Sequence, residues 1–293
     1  MQSSIKNELF LKVISLFSLV RFYNVILMAF AQIICSIFVF SNSSNIYAVI
    51  FDYNIWFIII SSSTSISAGY IINNFFDTDK DLINRPLKTI LEKKISGKTR
   101  LRGYIILNLI CLLCALQVSF KAFLFFIFYI ISILLYSIRI SKHPFFGNIL
   151  SVLLSITPFF AITLYYKYFS IEIFLHALFL FLIILIKELI KDLKSLKGDL
   201  AMNYKTIPVI YGEKTTKVYI LFLTLIVILI CGIVSVNFNI SSMIYYYFFS
   251  IMFLICFLFF LFRLNEIRHF NFYHNSLRLL ILLGLFSVIL RGI

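Results

Sequence analysis

Nine apolar runs leave this chain little choice of fold. Each is near the roughly 20 residues that a helix needs to cross a bilayer. They lie at about 14–40, 55–76, 101–120, 122–140, 145–166, 171–193, 215–236, 241–263 and 273–291. Only helices and closed barrels satisfy every backbone N–H and C=O inside lipid. A barrel would show shorter segments of alternating polarity, whereas these runs are long and continuous. Charged residues make up 13% of the chain and hydrophobic ones 62%, against about 25% charged in a soluble domain. The predicted class is therefore all-α: a polytopic membrane protein of about nine transmembrane helices, one integral-membrane domain over 1–293. The short break near Lys121 makes the third and fourth runs an antiparallel hairpin. Residues 1–12 are polar and the first run is too long for a signal peptide, so no cleavable leader is expected.

The 26 Lys+Arg against 12 Asp+Glu invite a nucleic-acid reading, but no soluble domain exists to present a basic face. The pattern instead marks cytoplasmic loops. One side receives the N-terminus, the 77–100 loop, Arg139 and Lys142, the 187–217 region, and Arg263 and Arg268. The other side receives only Lys121, Lys167 and Arg291. The N-terminus is thus expected in the cytoplasm and the C-terminus outside. Five cysteines fall in apolar stretches. Cys111 and Cys114 form a C-x-x-C without a second pair, which reads as buried small hydrophobes rather than a metal or redox site.

In a chain this poor in acids, half of them gather in two short segments: Asp77, Asp79 and Asp81, and Glu188, Asp192 and Asp199. At about 100° per residue, Asn73, Asp77 and Asp81 spread over only about 80° of a helix face. Glu188, Asp192, Ser195 and Asp199 fall within a similar sector if the helix continues. Each segment ends a span on the cytoplasmic side, and each leads into a basic loop containing Pro86 or Pro208. This suggests an internal repeat, two four-helix units plus a ninth helix, although alternating helices and basic loops would produce part of it unaided. Ser61, Ser62, Ser63, Ser65, Ser67, Ala68 and Gly69 precede the first cluster. Small residues let helices approach closely in lipid, so this helix is expected inside the bundle.

Carboxylates at a membrane surface are costly unless paired, and a hard divalent cation prefers oxygen ligands. Arg21, Arg85, Lys88, Lys142, Lys187, Lys191 and Lys205 are interleaved with the acids. Metal-binding acids among cations suit a diphosphate, whose departure both would neutralise. At this depth the expected substrate is an isoprenoid diphosphate, with its tail in lipid. Tyr70, Phe75, Phe76 and Tyr136 could shield an allylic cation or simply pack. The bland alternatives are a solvated loop at Asp79–Asp81 and a helix end with pairs such as Glu188–Lys191.

These residues resemble the signatures of the UbiA superfamily of intramembrane prenyltransferases. Asn73, Asp77 and Asp81 match N-x-x-x-D-x-x-x-D, followed by the matching Asn84-Arg85-Pro86. Arg21-Phe22-Tyr23-Asn24 resembles R-P-x-N, with Phe22 replacing Pro. Tyr136-Ser137, Lys142 and Gly147-Asn148 match the middle of the pattern, and Glu188, Lys191-Asp192-Leu193, Gly198-Asp199 and Lys205-Thr206 the second signature. The resemblance covers about residues 15–215. It implies Mg2+ held by Asn73, Asp77 and Asp81 on one side and by Asp192 and Asp199 on the other. It implies diphosphate contacts from Arg21, Asn24, Arg85, Lys142 and Lys205. The implied catalytic set is Asp77, Asp81, Asp199, Lys142 and Tyr136.

Two positions depart from the pattern. Position 74 is Asn where many members carry Asp, and Ser195 stands where the second signature has its first Asp. The second metal is then left to Asp199 with Asp192 or Glu188. The resemblance is strongest to the branch that alkylates geranylgeranylglyceryl phosphate, which implies a lipid acceptor and ether-lipid synthesis. An aromatic acceptor of quinone biosynthesis is the alternative. A transporter would carry its polar residues near bilayer centres, and here they lie at span ends.

Overall fold

The structure, a computed structural model, describes residues 2–40, 46–238, 241–263 and 266–292. Among them, nine helices are long and apolar enough to span a membrane, and no strand occurs. The described residues divide into two compact units: residues 2–33 with 46–141, and residues 34–40 with 142–292. The first holds most of span one and spans two to four. The second holds spans five to nine, with the ninth helix packed among the others.

In the first unit, α1 (Gln2–Leu19) and α2 (Phe22–Cys35) replace the single run expected over 14–40. The helix breaks because Arg21 adopts a left-handed conformation, φ 49°. The first span therefore starts at Phe22, and α1 lies against α4 and α5. A short α3 (Ile46–Ile50) precedes α4 (Tyr53–Asn84), which opens on Asp52, whose side chain accepts from the Asn54 N–H. At 1.5 Å per residue, the 32 residues of α4 extend ~48 Å, well beyond the roughly 30 Å hydrocarbon core. The acid cluster thus rides on a helical extension that leaves the bilayer, rather than in the loop expected from residue 77 onward. Pro86 disfavours helical backbone at the residue before it. α4 accordingly stops at Arg85, and α5 (Pro86–Glu92) starts with Pro86 in its first turn.

α4 sits inside its unit, as its small residues predict. The Ser61 hydroxyl donates to the Cys111 carbonyl in α6 (Gly97–Val118) at 3.0 Å, and Gln32 Nε2 donates to Ser62 Oγ at 3.0 Å. A Cβ at Gly69 would lie 3.0 Å from Ile133 of α7 (Phe120–Ile138). α6 and α7 form the expected hairpin: Ser119 ends one helix and caps the next by accepting from the Ala122 N–H.

The second unit holds α8 (Phe146–Tyr166), α9 (Ile171–Lys194), α10 (Leu196–Ala201), α11 (Ile207–Asn237), α12 (Ile244–Leu261) and α13 (Ile267–Ser287). Its core is built on α9, where Ile183, Ile186, Leu189 and Ile190 are fully buried against α11 and α13. α11 is broken at Gly212, whose φ of 82° only glycine adopts freely. The cysteines are free thiols; Cys111 and Cys231 are buried as expected, whereas Cys256 is exposed among apolar neighbours.

One close contact yields a stability prediction. The buried Tyr246 hydroxyl donates to the Leu280 carbonyl at 3.2 Å. A Cβ at Gly284 would lie 2.6 Å from that hydroxyl and 2.8 Å from the ring. Gly284→Ala must displace a buried aromatic ring, so a loss of about 1–3 kcal/mol is expected. Thermal unfolding in detergent, compared with the exposed Gly97→Ala, measures it.

Candidate active site

The first group of residues sits where α4 leaves the membrane. Asn73, Asp77 and Asp81 occupy one face of a continuous helix, all partly buried, whereas Asp79 is exposed off that face. The Asn73 Oδ1 atom is buried and no hydrogen-bond donor reaches it. A buried carbonyl oxygen without a donor, one turn from a carboxylate, has the chemistry of a ligand to a hard cation. No group of three or more His, Cys, Asp and Glu among the described residues forms a complete metal cage.

Cations gather beside this face. The Arg21 guanidinium lies over the Tyr70 ring at 4.7 Å, one turn before Asn73. The left-handed backbone at Arg21 also lets its carbonyl accept from the Asn24 N–H at 2.8 Å, bringing Asn24 onto the first turn of α2. The Arg85 N–H donates to the Asp81 carbonyl at 2.7 Å, which ties the start of α5 to the acid turn. Burial holds the Lys88 amine below its usual range, and the positive charges of Arg21 and Arg85 push the same way against the pull of Glu92. Arg21, Arg85 and Lys88 thus lie close enough to feel one another's charge, with Glu92 beside Lys88. Tyr136 lies in the last turn of α7. Phe75 and Phe76 are exposed and meet edge to face.

The second group lies in the other unit. Asp192 is buried near the end of α9 and accepts from Asn148 Nδ2 of α8 at 2.7 Å. Asp199 is fully buried on α10, where its Oδ2 accepts from Ser195 Oγ at 3.2 Å and Thr206 Oγ1 at 3.4 Å. The Asp199 carbonyl accepts from the Tyr204 N–H at 2.9 Å, the Lys205 N–H donates to the Lys142 carbonyl at 3.0 Å, and Lys142 Nζ lies 5.4 Å from the Tyr204 ring. Lys142, Lys205 and Asp199 are thus assembled around one loop.

One expectation about this group changes. The continuous stripe from Glu188 to Asp199 is divided between two helices, because α9 stops at Lys194 and Ser195 leaves helical backbone at φ −93°, ψ 9°. Glu188 pairs with Lys191, as the helix-end alternative expected, and its carboxylate lies 3.8 Å from Lys187.

Glu92 and Arg100 were not singled out by any motif, yet both are buried beside the first group. One signal was available: Glu92 is the only acid between Asp81 and Glu172.

The sequence pattern of the UbiA prenyltransferase family matches residues 30–277. The chain belongs to that family. Among relatives, the digeranylgeranylglyceryl phosphate synthase of Thermococcus sibiricus is 31% identical over 158 residues, 53% of this chain and 56% of that protein. The Methanosphaera stadtmanae protein of the same name is 29% identical over 189 residues, 64% of this chain and 65% of its own length. The matched part thus spans between about half and two thirds of these curated relatives. A solved UbiA homologue from Archaeoglobus fulgidus bound to GPP and Mg2+ superposes with a TM-score of 0.71 at 15% identity, covering 95% of this chain and 99% of that one. A digeranylgeranylglyceryl phosphate synthase structure gives a TM-score of 0.71 at 18% identity over 96% and 99% of the two chains. At these identities the likeness is one of fold, and this UbiA protein is an integral membrane protein of that fold.

Proposed function

We propose that this UbiA protein transfers a prenyl group from an isoprenoid diphosphate to a membrane acceptor, with a prenylated glyceryl phosphate as that acceptor. The observation that carries the first part is the α4 face: Asn73, Asp77 and Asp81 in line, with a buried Asn73 oxygen that has no donor. The acceptor follows from relatives named for digeranylgeranylglyceryl phosphate synthesis.

Asn73, Asp77 and Asp81 would hold Mg2+ in the first unit, and Asp192 with Asp199 would hold Mg2+ in the second. Bound Mg2+ neutralises charge that develops on a departing diphosphate. Arg21, Asn24, Arg85, Lys142 and Lys205 bind the phosphate oxygens and orient the reacting carbon. The allylic C–O bond breaks with its electron pair going to the diphosphate. Tyr136 offers a ring face to the resulting carbocation. The acceptor hydroxyl attacks that carbon and gives up its proton as the ether bond forms. The Lys and Arg distribution supports an orientation with both acid groups and the N-terminus in the cytoplasm and the C-terminus outside.

Purified protein in detergent, given radiolabelled geranylgeranyl diphosphate and Mg2+, is expected to label geranylgeranylglyceryl phosphate, and EDTA is expected to abolish the label. Hydroxybenzoate and dihydroxynaphthoate serve as competing acceptors. Label on an aromatic acceptor alone would replace the lipid reading. Transfer that persists in EDTA would remove the metal from the mechanism.

A further inference from the structure

A buried network behind the α4 face links four segments of the first unit. Asn74 follows Asn73, so its side chain leaves the helix about 100° away from the acid face. Its Nδ2 donates to Glu92 Oε2 at 2.8 Å, and its Oδ1 accepts from Arg100 Nη1 at 3.0 Å. Glu92, 3% exposed, also accepts from Ser18 Oγ of α1 at 2.8 Å and lies 3.5 Å from Lys88 Nζ. Arg100, 6% exposed, uses its remaining nitrogens on the carbonyls of Glu92 at 3.0 Å and Ile95 at 3.1 Å. Ser15 of α1 donates to the Leu91 carbonyl at 2.9 Å.

The chemistry of position 74 is specific. A carboxamide has both a donor and an acceptor, whereas a carboxylate only accepts. The amide can stand between an anion, Glu92, and a cation, Arg100, and satisfy both. A carboxylate there would face Glu92 with no proton between them. The same network holds α1, which leads into Arg21, and α5, which follows Arg85 and carries Lys88.

We propose that Asn74 is a positioning residue: bridging Glu92 and Arg100, it sets the Arg21, Arg85 and Lys88 subsite against the metal-binding face of α4. The proposal rests on the diphosphate reading of that face.

The test measures Mg2+-dependent binding of inorganic pyrophosphate by calorimetry, and unfolding temperature in detergent, on the same preparations. Asn74→Asp is expected to weaken pyrophosphate by roughly 10- to 100-fold, the scale on which outer partners of a metal site act. Asn74→Asp combined with Glu92→Gln restores one amide and one carboxylate in exchanged places, and is expected to recover affinity to within about threefold of wild type. In transfer assays the defect is expected in the donor KM more than in kcat. Should Asn74→Asp not fold, Ser18→Ala cuts one hydrogen bond of the network and is expected to weaken pyrophosphate about fivefold. Affinity unchanged in a variant whose unfolding temperature falls would reduce the network to a structural role and overturn the proposal. So would a double variant that folds but recovers nothing. Wild-type protein that binds no pyrophosphate would instead sink the diphosphate reading itself.

Discussion

Asp77→Ala is expected to lower prenyl transfer by on the order of 10²- to 10³-fold, the range seen when one group that stabilises developing charge is removed. Asp77 is the middle residue of the three on the acid face, with Asn73 and Asp81 one turn away on either side. Without it, the remaining ligands are a neutral carbonyl and one carboxylate two turns apart. Mg2+ on a phosphate is held by one or two protein carboxylates, and removing Asp77 leaves this face with Asp81 alone. The loss is therefore expected in both kcat and the Mg2+ concentration at half-maximal rate. Asp79→Ala provides the comparison, since it removes the same charge two residues away from an exposed position and is expected to stay within about twofold of wild type. Equal losses in the two variants would mean that net charge at the end of α4, rather than ligation, carries the effect.

Much of this site was legible because its signals are local. Hydropathy alone places nine spans, and the four-residue spacing of Asn73, Asp77 and Asp81 needs only helical periodicity. What the sequence concealed depends on backbone breaks and on partners distant in the chain. The first apolar run reads as continuous through Arg21, because nothing in a hydropathy pattern reports a left-handed residue. The second acid stripe assumed an unbroken helix, and Ser195 breaks it. Asn74 looked like an imperfect match to a family signature. Its partners lie 18 and 26 residues further on, and no periodicity links them. The break of α11 at Gly212, φ 82°, was likewise concealed, since the seventh apolar run is placed only from about residue 215 onward.

The second acid group invites the other large effect. Asp199→Asn is expected to abolish transfer, by about 10²-fold or more, while leaving the fold nearly intact. Asp199 is fully buried, and its Oδ2 accepts from two hydroxyls, Ser195 and Thr206. Hydroxyls can turn to accept as readily as they donate, so an amide of the same shape keeps these contacts and loses only the charge. Asp199→Ala, by contrast, takes this acceptor from the buried Thr206 hydroxyl and is expected to cost about 1–3 kcal/mol of stability as well. Ser195→Asp then asks whether this charge serves a metal. It would put a second carboxylate about where a hydroxyl now meets Asp199, and two buried like charges disfavour each other. Without Mg2+ the variant is expected to unfold at a lower temperature than wild type. If Asp199 is a metal ligand, Mg2+ should bind the paired acids more tightly than the single one, and ligand binding to the folded state raises its stability. The gain in unfolding temperature on adding Mg2+ is therefore expected to be larger in Ser195→Asp than in wild type. An equal gain, or none, would place the second metal away from α10 and leave Asp199 as an acceptor that holds the Ser195–Thr206 turn together.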